Sequence, residues 1–261
     1  MNSTIPPTGA PARGAICVRG LVKTYVREGV SVPALAGVDL DIRGGEQVAV
    51  MGPSGCGKST LLHCLAGVLR PTSGSIAISG VEVSSLSDRE SSKRRLSSYG
   101  FVFQDGQLLP ELPCEENVAL PLMLMGASRA ESVSRARGLL AHLGCDGLGA
   151  FRPGQLSGGQ AQRVAIARAL VAAPEVVFAD EPTGALDQRT GAEVMSVLSG
   201  ACASTGSTLV LVTHDPAIAA RLGRTVAMRD GRIERDSAAP ARTPMGAAAS
   251  FGAAPLDGSA R

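Results

Sequence analysis

The apolar run EQVAVM leads into the loop GPSGCGKS, residues 52–59, and from there into KSTLLHCLAGVL, whose apolar residues recur at helical spacing. Strand, glycine-rich loop and helix in that order fit the pattern G-x-x-x-x-G-K-[ST] in the context it requires. Such a loop turns successive backbone N–H groups onto phosphate oxygens, and the helix N-terminus adds a partial positive charge. Lys58 is expected to bridge the β- and γ-phosphates and the Ser59 hydroxyl to coordinate magnesium. Gly52, Pro53, Ser54, Gly55, Cys56, Gly57 and Thr60 complete the expected nucleotide-binding set. An ordinary glycine-rich βα turn is the plainer reading, and the order of the flanking elements argues against it. Alone, the motif says nucleotide binding; a small-molecule kinase or a GTPase would carry it too.

A second acidic site narrows the choice. VVFADEP is an apolar strand ending in Asp180 and Glu181, which places two carboxylates at the C-terminal edge of a sheet, where ligands of open α/β sheets bind. Asp180 fits a water-mediated magnesium ligand and Glu181 a base for the attacking water.

At 261 residues, alternating short apolar runs with helical patterns, the chain reads as one α/β domain carrying an inserted piece. AICVRGLVKTYV and ALAGVDLDIRGG alternate like strands, SIAISGVEV returns to strand, and TVAMRDGRI reads as a closing hairpin. Residues 1–14 are expected to be a flexible leader and 236–261, rich in Ala, Pro and Gly, a disordered tail, leaving 15–235 as the folded unit. A mainly helical insert is expected over about 88–160. A net charge of +2 is too small to argue for nucleic acid. Six scattered cysteines without a CxxC pair read as reduced thiols. There is no apolar run of about 18 residues to span a membrane, and the first residues lack the pattern of a secretory signal.

The stretch RPGQLSGGQAQRVAIARAL, residues 152–170, raises a further question. Ser157 followed by Gln160 is spaced as a capping box, yet two glycines stand at the helix start, each costing about 1 kcal/mol relative to alanine. With LSGGQ before a helix and FADEP some twenty residues on, the chain resembles the ATP-binding subunit of ABC transporters over nearly all of residues 16–235. The resemblance implies a P-loop NTPase fold: a RecA-like α/β core with a mixed sheet, an inserted helical subdomain and a small N-terminal antiparallel β region. It implies ATP hydrolysis with ATP and Mg2+ as cofactors. Tyr25 matches the aromatic that stacks on adenine, with a core or edge-strand tyrosine as the alternative. Gln104 matches the glutamine that touches magnesium and the water, Asp187 in GALD the loop at the dimer interface, and His214 the histidine that contacts the γ-phosphate. Ser157, Gly158, Gly159 and Gln160 match the signature that meets ATP held by the other subunit, so that any Cβ at the glycines would hold that phosphate away. Ala161 stands where relatives often carry Gln or Glu.

Within the family, GFVFQDGQLLPELPCEENVALPLML and ADEPTGALD resemble the ATPases of macrolide-export, lipoprotein-release and antimicrobial-peptide-resistance permeases. The implied partners are a second copy or a homologous subunit and a transmembrane permease, with the chain cytoplasmic and peripheral on the inner face of the membrane. Leu108–Leu122, with Pro110, Pro113 and Pro121, would form the wall of a groove for the permease, or else an ordinary loop packed on its own subdomain. The basic stretch 87–98 reads as a solvated helix face. A regulatory ABC ATPase that signals through a permease-like partner is the alternative function; DNA-repair and chromosome-structuring ATPases need a long coiled-coil insertion that does not fit between residues 60 and 150. Cys56, flanked by a helix N-terminus and Lys58, is either a loop filler or the most reactive thiol of the nucleotide-free chain.

Overall fold

The computed structural model describes residues 12–238 apart from Glu28. β1 (Ile16–Arg27) and β2 (Val30–Ile42) form an antiparallel hairpin. β3 (Gln47–Met51) runs through the glycine-rich loop into α1 (Lys58–Leu65), and β4 (Ser73–Ile78) and β5 (Val81–Glu82) return to the hairpin. α2 (Asp88–Ser98) precedes β6 (Tyr99–Phe103), followed by α3 (Cys114–Leu124), α4 (Arg129–His142) and α5 (Gly158–Leu170). β7 (Val176–Asp180), α6 (Gln188–Thr205), β8 (Thr208–Val212), α7 (Pro216–Ala219), β9 (Arg224–Arg229) and β10 (Arg232–Asp236) complete the described chain.

The strands form a four-stranded antiparallel sheet, β2-β1-β4-β5, and a six-stranded sheet, β10-β9-β3-β8-β7-β6, parallel except for β10. Apart from Gln47, Asp180 and Thr208 at their ends, the central strands β3, β7 and β8 are apolar, because both of their faces are covered. Strand alternation then deals successive residues to two cores. Val177, Ala179, Leu209 and Leu211 face the core built with α3, α4, α5 and α6. Val176, Phe178, Val210 and Val212 face the core shared with α1 and the antiparallel sheet. Phe178 is fully buried there, edge-on to Tyr99 at 5.4 Å between ring centres; truncating a ring so enclosed costs roughly 3–5 kcal/mol.

The expected boundaries shift. β6 pairs with β7 from Tyr99↔Val176 to Phe103↔Asp180, so the stretch expected to be helical from 88 includes an edge strand of the main sheet. The run Tyr-Gly-Phe-Val-Phe is apolar and β-favouring, and only neighbouring β7 decides its state. The helical insert therefore lies beyond Phe103. Of the expected leader, residues 1–11 lie outside the described residues, while Gly14 donates to Ser79 Oγ at 2.8 Å and accepts from Thr208 Oγ1 at 2.8 Å. Of the expected tail, 239–261 lie outside the described residues, whereas Asp236 ends β10 in a two-pronged ion pair with Arg224 at 2.8 and 2.6 Å.

That pair links pH to stability. Arg224 is buried, and its remaining donor reaches the Asp41 carbonyl and Glu46. The guanidinium holds the Asp236 carboxyl below the usual carboxylate range. A depressed folded value stabilises the fold above the unfolded value and loses that contribution as pH falls through the folded one. Asp236→Asn should lower stability at pH 7 by about 2 kcal/mol. The gap between thermal melts of parent and variant should be full above about pH 5 and narrow as pH falls below the ordinary aspartate value of about 3.9; a gap that did not change with pH would show that the charge is not what stabilises β10.

Candidate active site

Parallel register draws the site together. Val50 pairs with Val212, Val212 with Asp180, and Asp180 with Phe103, one row across β3, β8, β7 and β6 at their C-terminal ends. The chain leaves this row at Gly52, His214, Glu181 and Gln104, so residues remote in sequence share one edge.

The loop after β3 ends at Gly57, whose φ of +103° begins α1. A Cβ there would stand 2.3 Å from the Ala34 carbonyl oxygen, so both conformation and space require glycine. No side chain caps α1 or α3, whereas α2, α4, α5, α6 and α7 each have a side-chain cap. A helix start left open beside a lysine suits an anion. Lys58 is only 8% exposed, and its ammonium donates to the Gly52 and Pro53 carbonyls at 2.9 and 3.0 Å.

Ser59 donates from its hydroxyl to Asp180 Oδ1 at 3.2 Å, joining the loop to the end of β7. Burial pushes the Asp180 carboxyl above its usual range, against the lowering effect of the Ser59 bond. One residue on, Glu181 adopts φ +49°, a left-handed conformation that costs a non-glycine residue roughly 1–2 kcal/mol. Its N–H donates to the Val212 carbonyl and its own carbonyl accepts from Gly184, both at 2.9 Å. Glu181 Oε2 thereby lies 2.8 Å from His214 Nδ1. Gln104 packs over Gly184, where a Cβ would fall 3.1 Å from its amide carbon. Gly184 was not singled out from the sequence; its signal is a glycine in the turn directly after the two acids.

The remaining candidates sit apart. Tyr25 pairs with Val32 and lies half-buried with the Lys23 ammonium 5.4 Å above its ring. The capping box of α5 forms as expected: Ser157 N–H donates to Gln160 Oε1 at 2.9 Å and Gln160 N–H to Ser157 Oγ at 3.3 Å. Among the described residues no hydrogen bond joins Ser157–Gln160 to the phosphate loop. The glycines have a reason within this chain: a Cβ at Gly159 would meet Thr190 Cγ2 at 2.5 Å, and one at Gly158 would meet Leu186 at 3.0 Å. Room for a phosphate is therefore not the sole demand on them. Asp187 caps α6 through the Arg189 and Thr190 N–H groups at 3.1 and 3.0 Å.

The ABC transporter family model matches residues 35–184. The chain belongs to the ABC transporter family. It is an ABC-type ATPase cassette. It is 45% identical to lipoprotein-releasing system ATP-binding protein LolD 2 of Caulobacter vibrioides, over 84% of this chain and 96% of that protein. It is 47% identical to macrolide export ATP-binding/permease protein MacB of Rhodopseudomonas palustris, over 93% of this chain but 37% of that protein. Against a solved dimeric ATP-binding cassette in a post-hydrolysis state with ADP and Pi, it superposes with a TM-score of 0.78 at 40% identity, covering 85% of this chain and 97% of that one.

Of the two readings of Cys56 in this ABC cassette, its burial favours the loop filler over the most reactive thiol. Cys56 is 5% exposed and packs beneath the loop in the core with Leu61 and Met228. Its carbonyl accepts from Gly231 N–H at 3.0 Å. All six cysteines are free, and Cys17 is the one that is not buried. Burial and a bond to Asp41 push the Cys17 thiol up, which slows but does not block its reaction. Maleimide labelling with peptide mapping of the folded, nucleotide-free chain should therefore modify Cys17 before Cys56. Faster labelling of Cys56 would mean that the phosphate loop opens far from the conformation described.

Proposed function

We propose that two copies of this chain, or one copy and a homologous subunit, close head to tail around two ATP molecules, hydrolyse them and reopen, driving a transmembrane permease. The observation that carries the reading is the row of register-aligned strand ends that holds Ser59 against Asp180 and Glu181 against His214. In this reading the N–H groups of the loop and α1, with Lys58, bind the phosphates. Tyr25 stacks on the adenine. Glu181 accepts a proton from the attacking water, His214 contacts the γ-phosphate, and Gln104 contacts the water.

The donor set suits Mg2+, which takes hard oxygen ligands and keeps part of its water shell. Ser59 hydroxyl and Gln104 amide oxygen would hold it directly and Asp180 through water, and the ion would favour the charged Asp180 carboxylate despite its burial. Bound Mg2+ supplies charge neutralisation at the phosphates. The exposed start of α5, capped by Ser157 and with Gly158 at the surface, would meet the γ-phosphate of the facing subunit, and Asp187 would stand at the same interface.

A permease is favoured over a purely regulatory partner by the relatives, which are named for macrolide export and lipoprotein release. The chain spans about a third of the MacB relative, whose name joins an ATP-binding part to a permease part, and nearly all of LolD 2. Among the described residues no helix is long and apolar enough to cross a membrane, so membrane attachment would come through the permease, on its cytoplasmic side. A cleft of about 390 Å3 lined by Leu96, Phe101, Phe103, Gln107, Pro121 and Arg168 offers the docking site. Of the expected wall, Leu108–Leu122, only Pro121 borders it.

Glu181→Gln should keep ATP binding, lower turnover roughly 10²–10⁴-fold, and trap an ATP-bound dimer on size-exclusion chromatography. Hydrolysis at the parent rate would remove Glu181 as the base. Shared sites make a separate demand. A Lys58→Ala chain mixed with a Ser157→Arg chain forms a heterodimer with one doubly damaged site and one intact site. ATPase activity should partly return on mixing. No recovery at any ratio would point to sites built within single chains.

A further inference from the structure

Two side chains of α5 are spent on the loop that carries Gln104. Gln162, 3% exposed, donates from Nε2 to the Phe103 carbonyl at 2.8 Å. Arg168, further along the same helix, donates from Nη2 to the Gly106 carbonyl and from Nη1 to the Gln107 carbonyl, both at 2.6 Å. Among the described residues no carboxylate pairs with Arg168, so its charge is directed at these two carbonyls. The loop they hold is an unfavourable one. Gly106 and Gln107 are both left-handed, at φ +69° and +46°, and a non-glycine residue there persists only where its surroundings over-determine it. The fit is close: a Cβ at Gly106 would lie 3.3 Å from Gln162 Oε1 and 3.4 Å from the Ala165 methyl.

The three points of attachment, Phe103, Gly106 and Gln107, bracket Gln104. The other end of α5 begins at Ser157, Gly158 and Gly159. Arg168 and Gln107 also line the 390 Å3 cleft, so the same guanidinium stands at the surface offered to a partner.

We propose that Gln162 and Arg168 are positioning residues that make the Gln104 loop and the signature end of α5 one rigid body. Pressure on Gln107 from a partner in the cleft and contact of Ser157 with a phosphate across the dimer then act on a single element. The functional consequence rests on the reading of Gln104 and the signature given above; the mechanical coupling does not. If these bonds merely stabilised the fold, their loss would loosen loop and helix alike.

Hydrogen exchange on the full chain separates these cases. The Gly106 N–H donates to the Phe103 carbonyl at 3.1 Å and the Leu109 N–H to Asn117 at 2.7 Å, so peptides spanning 103–109 carry protected amides. In the nucleotide-free chain, Arg168→Met and Gln162→Met should each speed exchange in 103–109 at least tenfold while α5 amides from Val164 to Leu170 keep parent rates. Arg168→Lys should restore part of the protection. In the Glu181→Gln background, ATP should slow exchange in 103–109 and in the first turn of α5 together; with Arg168→Met added, only the helix turn should slow. Parent-rate exchange in the loop, equal loosening of loop and helix, or joint slowing in the double variant would each overturn the proposal. Should Glu181→Gln form no ATP dimer, the dimer reading fails, while the nucleotide-free comparison still decides the coupling. Where Arg168→Met does not fold, Gln162→Met and Arg168→Lys carry the same comparison.

Discussion

The in-register parallel pairing of β3, β8, β7 and β6 is the constraint on which the chemistry of this chain depends. It aligns Val50, Val212, Asp180 and Phe103 in one row. Each strand is sealed on both faces, so a slip of one residue would exchange the side chains facing the two cores, setting Phe178 against the helices and Val177 against the antiparallel sheet. Burial thereby fixes the register, and the register fixes which residues meet at the edge. The catalytic candidates need no further device to bring them together, only short turns of defined shape beyond the last paired residue.

Those turns hold local costs that the sheet absorbs. Glu181 is left-handed beyond Asp180, and its backbone is pinned by the Val212 carbonyl on one side and the Gly184 N–H on the other. Asp180 is half-buried, which disfavours its charge, and the Ser59 hydroxyl bond is the largest influence against that, with Lys58 and His63 adding to it. The open start of α1 is a further incomplete feature, with Lys58 turned onto the loop's own carbonyls. Unsatisfied helix donors, an inward-turned ammonium and a carboxylate shifted toward neutrality are all relieved by a phosphate with a divalent cation.

α5 joins this edge to the rest of the molecule. Its N-terminal glycines press on Leu186 and Thr190. Gln162 and Arg168 grip the loop after β6, and its apolar side, with Val164, Ile166 and Ala167, lies in the helical core. A single helix so tied leaves little freedom for the signature, the Gln104 loop and the Asp187 turn to move independently.

Amino-acid order alone determined the features encoded in a few consecutive residues. The phosphate loop, the capping boxes at Ser87, Ser128 and Ser157, and the doubly apolar β7 and β8 are of this kind, because glycine spacing, the spacing of serine to glutamate or glutamine, and apolar runs act through neighbouring backbone. Of these, the phosphate loop, the Ser157 box and the two strands were read directly. Tertiary structure decided the rest. That β6 is an edge strand followed from the neighbouring β7, since its own residues are compatible with several states. That Asp236 belongs to the fold followed from Arg224, twelve residues away across a hairpin. Cys56 lies buried in the core that also holds Met228, far along the chain, and Gly159 must be bare because Thr190 lies over it. In each case the deciding partner is distant in the chain, and the strand order β3-β8-β7-β6, set by how the two cores close, is what brings the partners within reach.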